Sequence, residues 1–76
     1  DTSNAAIAER LALMADLMAF KGENKFKIGA YQKAARLVGK WEAPLAAMAP
    51  PERLALPGIG KGLAADIDAL LATGRI

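Results

Sequence analysis

The segment Leu56-Pro57-Gly58-Ile59-Gly60-Lys61-Gly62-Leu63-Ala64-Ala65-Asp66-Ile67 constrains this chain more than any other. Pro57 fixes one backbone angle and has no N–H to donate. Gly58 is free to take the left-handed conformation of a sharp reversal. Leu63, Ile67, Leu70 and Leu71 then recur at helical steps, so a helix begins at about Gly60. Its first N–H groups have no intrahelical acceptor, and the positive end of the helix dipole lies there. Gly60 leaves no side chain between backbone and an approaching group. Gly58, Ile59, Gly60, Lys61 and Gly62 thus form a candidate anion site made largely of backbone.

Seventy-six residues suffice for one small domain with one modest core. Cysteine and histidine are both absent. That removes disulfides, thiol nucleophiles, thiolate metal sites and the commonest catalytic base. Val38 is the single valine and alanine is abundant, which favours helices over strands. The expected fold class is all-α. The net charge is only +2, but its distribution is uneven. From Asn24 to Trp41 the chain carries Lys25, Lys27, Lys33, Arg36 and Lys40 and no acid. A solvated helix face usually mixes signs. No signal-peptide pattern or membrane-length apolar run is present, so a cytoplasmic setting is expected. The ending Thr73-Gly74-Arg75-Ile76 suggests a domain cut from a longer chain.

In chain order, Ser3 or Asn4 can cap a first helix. Ile7, Leu11, Met14 and Met18 form its apolar stripe, widened by Leu17 and Phe20, and Gly22 ends it. Asn24 caps a second helix over 25–40. Its expected buried stripe is Phe26, Ala30, Ala34, Leu37 and Trp41. Trp41 to Pro51 is a connector, with Leu45 and Met48 folded onto the core. A short third helix spans 51–56, the turn follows at Pro57-Gly58, and a fourth helix spans 60–72. The result is a compact four-helix domain.

Short helix, Pro-Gly-apolar-Gly turn and amphipathic helix together resemble a helix-hairpin-helix motif. That resemblance implies non-sequence-specific DNA binding through backbone N–H groups on phosphates. It also implies a monovalent cation, sodium or potassium, held by the carbonyls of Leu54, Leu56 and Ile59. No other cofactor is expected.

The stretch from Lys21 to Ala35, with Gly22-Glu23-Asn24 and Ala30-Tyr31-Gln32-Lys33-Ala34-Ala35, resembles the N-terminal domain of family X DNA polymerases, especially bacterial ones. The ending from Leu70 to Ile76 is similar to the end of the same domain in DNA polymerase beta. The resemblance runs from about Leu11 to Ile76. It implies a base-excision-repair role, gapped or nicked duplex DNA as partner, anchoring on the 5′-phosphate side and downstream nucleotidyltransferase domains. A nucleoid-associated location and no membrane partner follow. Lys27 and Tyr31 match the family's phosphate pocket, and Lys33 is a further candidate phosphate contact. The family's lyase lysine is matched by Asp66, a second pocket lysine by Gly62 and a third by Leu54. A carboxylate cannot form a Schiff base. The expectation is therefore a DNA-anchoring module without chemistry of its own. A residual deoxyribose-phosphate lyase using Lys61 or Lys27 is one alternative, and a helical protein-interaction module is another.

Overall fold

Local signals start and stop the first two helices. The computed structural model describes residues 2–74; Asp1 and the closing Arg75-Ile76 lie outside them. Ser3 is the N-cap: its hydroxyl accepts from the Ala6 N–H at 3.1 Å and α1 follows as Asn4–Phe20. Gly22 ends it with φ +77°, in line with the sequence pattern. The Gly22 N–H donates to the Ala19 carbonyl (3.2 Å) and the Glu23 N–H to that of Met18 (2.9 Å). These are the two bonds of a Schellman cap. The Asn24 side chain then accepts from the Phe26 N–H at 2.7 Å and launches α2, Lys25–Lys40.

A short 3-10 turn over Leu45–Ala47 breaks the connector and places Leu45 fully inside the core. Next come α3, Pro50–Leu54, and α4, Lys61–Thr73. Helix α3 is displaced toward the N-terminus from the expected 51–56. Both prolines fit its first turn because neither has an N–H to leave unpaired. The Ala49 N–H is satisfied by the Glu52 carboxylate at 2.9 Å. At the far end the N–H groups of Ala55 and Leu56 bond to the carbonyls of Glu52 and Arg53, tightening the last turn and ending the helix early. Among the described residues the fold is all-helical, with no strand. A Cα radius of gyration of 11.4 Å is that of a compact domain of this length. Among these residues no helix is long and apolar enough to cross a membrane.

One core joins Ile7, Leu11 and Ala15 of α1, Tyr31, Ala34 and Val38 of α2, Leu45, Leu56, Ile59, and Leu63, Ala64, Ile67 and Leu70 of α4. This corrects two expected stripes. Phe26 is 88% exposed, and the buried face of α2 runs through Tyr31, Ala34 and Val38, with Ala30, Leu37 and Trp41 only partly covered. On α1, Leu17 and Phe20 stay outside, while Met14 and Met18 are half-buried. Both helices are apolar over a wider arc than a thin domain can cover. Each buries only the sector facing its neighbour, and the rest of the arc meets water.

Two polar side chains hold the connector, and no local sequence pattern marks either of them. Asn4 does not cap α1. Its amide nitrogen donates to the carbonyls of Trp41 (2.9 Å) and Ala43 (2.8 Å), and its oxygen accepts from the Leu45 N–H at 2.8 Å. The Arg53 guanidinium is buried. It donates to Asp68 at 2.9 Å, to the Leu45 carbonyl at 3.0 Å and to the Met48 carbonyl. Removing it leaves the Met48 carbonyl without a donor, whereas the Leu45 carbonyl keeps the Met48 N–H at 3.1 Å. Arg53→Met should therefore lower the unfolding free energy by about 1–3 kcal/mol in urea titrations. Asp68→Asn should cost much less, because Asp68 is well exposed and its charge pair is screened.

Candidate nucleic-acid interface

The turn between α3 and α4 is closed by one hydrogen bond, from the Ile59 N–H to the Leu56 carbonyl at 3.1 Å. Proline at its second position and a glycine of φ +79° at its third make it a type II arrangement. Gly60 follows in extended conformation as the N-cap of α4, with no side-chain capping bond. Among the described residues the N–H groups of Gly58, Gly60, Lys61, Gly62 and Leu63 donate to no protein acceptor. The positive end of the α4 dipole coincides with four of them. A Cβ at Gly60 or Gly62 would meet nothing within 4 Å, and neither residue has positive φ. The fold itself does not demand glycine at either position. Their effect is to leave the free donors uncovered.

The donor of Ile59 is used inside the turn, so this residue offers an anion no N–H. Its carbonyl and that of Leu54 accept from no protein group among the described residues, whereas the Leu56 carbonyl already accepts one bond. Each oxygen keeps at least one lone pair, and neutral carbonyls suit a hard monovalent cation. Among the described residues no cluster of His, Cys, Asp or Glu gathers that could hold a metal ion.

Helix α2 brings its residues to the turn unequally. Lys25, Phe26, Gly29, Ala30 and Lys33 line an open groove with Gly58. Lys33 thus lies beside the hairpin. Lys25 and Phe26 lie there too, a placement hidden by the apolar periodicity, which assigns Phe26 to the core. Lys27 is on another side of the helix, one turn from Tyr31, and pairs with Glu23 at 3.9 Å across exposed surface. Lys61 lines a different groove, with Pro50, Pro51, Leu54 and Asp68. The expected cations therefore flank the hairpin on separate sides instead of forming one pocket.

Tyr31 is buried, and its hydroxyl donates to the Asp66 carboxylate across the α2–α4 junction. A phenol has one proton to give, so this bond ties α2 to α4 and occupies the donor a phosphate would need. Burial first, then the hydrogen bond and the negative charge of Asp66, push the Tyr31 phenol up from 10.0 to about 12. A raised value means that the folded state holds this proton more tightly. The contribution is complete below pH 10 and is lost as pH rises toward 12. Tyr31 is the sole tyrosine, so tyrosinate absorbance reads it directly. The midpoint should lie near 12 and fall toward the ordinary value in Asp66→Asn.

A family model described as a helix-hairpin-helix domain matches residues 2–76. The chain belongs to the helix-hairpin-helix family. A search of curated proteins finds no match. Helix-hairpin-helix domains generally bind DNA without sequence specificity.

Proposed function

We propose that this domain holds duplex DNA at a gap or nick, on the side carrying the 5′ end, as the anchoring domain of a family X repair polymerase. The observation that carries the reading is the row of unspent N–H groups at Gly58, Gly60, Lys61 and Gly62, left bare by Gly60 and Gly62, which the fold does not require to be glycine. Backbone donors grip phosphate oxygens without reading bases, which accounts for weak sequence preference. Lys33 and Lys25 add positive charge on the α2 side of the turn, and Lys61 adds it on the α3 side. Lys27 is one weak exposed ion pair away from a phosphate. Tyr31 serves by fixing α2 against α4. In this reading a sodium or potassium ion sits on the carbonyls of Leu54, Leu56 and Ile59, bridging the turn to a phosphate. The Lys21–Ala35 resemblance and the Leu70–Ile76 ending support the polymerase setting, with downstream domains in the parent chain.

The domain grips without chemistry. Asp66 has no amine to form a Schiff base, and its carboxylate is engaged by Tyr31. Borohydride treatment on incised abasic DNA should leave almost no covalent adduct. A strong adduct lost in Lys61→Ala would assign a lyase to that lysine instead.

The decisive measurement is binding to gapped duplex across a range of salt. The log–log slope should approach about 0.9 per phosphate neutralised. Gly60→Val should keep the fold, since its Cβ enters open space, yet weaken binding about tenfold or more by covering the donors. Unchanged affinity in that variant would move the interface away from the hairpin.

A further inference from the structure

Four cations of α2 are not used by the fold. Lys25, Lys33, Arg36 and Lys40 are exposed, and among the described residues none forms an ion pair. Offsets of 8, 11 and 15 residues from Lys25 place them on one face of the helix. That face is opposite the buried line of Tyr31, Ala34 and Val38. The helix carries no acid, so no pair one turn apart neutralises the row. Lys25 even stands in the first turn, where the helix dipole disfavours a cation. Of the four, only Lys40 gains from the helix dipole, since it stands in the last turn.

The row is also continuous with the hairpin. Its first two members, Lys25 and Lys33, line the same groove as Gly58. From there Arg36 and Lys40 lead away from the turn. Between Lys25 and Lys33 the surface dips at Gly29, where a Cβ would meet nothing within 4 Å. Lys25 to Lys40 spans about 22 Å of helix, the rise of roughly seven base pairs of duplex.

We propose that the outer face of α2, through Lys25, Lys33, Arg36 and Lys40, is a second phosphate-binding track that carries the duplex arm away from the hairpin. The proposal rests on the DNA reading above and adds a direction to it. DNA leaves the turn along α2, and the apolar face of α1 takes no part. The contacts are charge to phosphate, so the track adds affinity and salt dependence without sequence preference.

The test uses Arg36→Gln/Lys40→Gln, which leaves the groove and the hairpin untouched. On gapped duplex the double variant should bind about tenfold more weakly at moderate salt. Its log–log salt slope should fall by about 1.8, two phosphate contacts' worth. A second substrate carries uncharged methylphosphonates at the phosphates roughly three to seven base pairs from the gap. This substrate should weaken the unmodified protein to a similar degree and the double variant hardly at all, because both changes remove the same contacts. Arg10→Gln, a charge loss on α1, is the control and should leave the slope unchanged. An equal loss in Arg10→Gln, or full additivity of variant and methylphosphonate, would overturn the track. Gly60→Val separates the two readings. If it binds normally while Arg36→Gln/Lys40→Gln does not, the hairpin reading fails and the track stands. No binding by the unmodified protein would sink both.

Discussion

The buried Arg53 guanidinium is the interaction on which the arrangement of the second half depends. One side chain joins three segments: the connector through the carbonyls of Leu45 and Met48, α3 through its own backbone, and α4 through Asp68. The connector has a single 3-10 turn and otherwise no helical bonds to satisfy its backbone. Buried carbonyls there need donors, and a guanidinium supplies several in fixed geometry. Asn4 does the corresponding work from α1, on Trp41, Ala43 and Leu45. With the connector held at both ends, α3 and α4 meet at a set angle and the hairpin turn is presented as a rigid object.

That rigidity matters because the free donors of the hairpin are backbone groups. A side chain can search for a phosphate, but an N–H group points where its helix points. The Ile59 donor is used internally, to close the turn, while among the described residues the N–H groups of Gly58, Gly60, Lys61, Gly62 and Leu63 have no protein acceptor. The bond between Tyr31 and Asp66 adds a second constraint, tying α2 to the second turn of α4. The Asp66 carboxylate thus strengthens the junction between these two helices.

Helix α2 has two contrasting faces on sixteen residues. One is buried in the core and meets α4 through Tyr31, and the opposite one carries an unopposed row of cations. A domain with so thin a core has little interior to spare, so a helix can give its whole outer face to a partner at small cost in stability. The exposed Phe26 belongs to the same arrangement, since it lies where glycines of α2 and the turn offer no side chain to cover it.

Features set within a few residues are legible in the sequence alone. The caps at Ser3 and Asn24, the stop at Gly22, the Pro57-Gly58 reversal and the four helices all follow from contacts between near neighbours along the chain. So does the exposed-donor site, because any helix start after a glycine turn has free N–H groups. Periodicity, however, gives directions only relative to a helix's own axis. It does not say which part of a wide apolar arc finds a neighbour, so it assigns Phe26, Leu17 and Phe20 to the interior although they lie outside. Nor does it pair groups far apart along the chain. The bonds of Asn4 to the connector and of Tyr31 to Asp66 span 35 residues or more, and no local pattern announces them. Local sequence is enough to make a helical hairpin with free backbone donors. Tertiary packing chooses which cations stand beside it, because that depends on which face of α2 the core consumes.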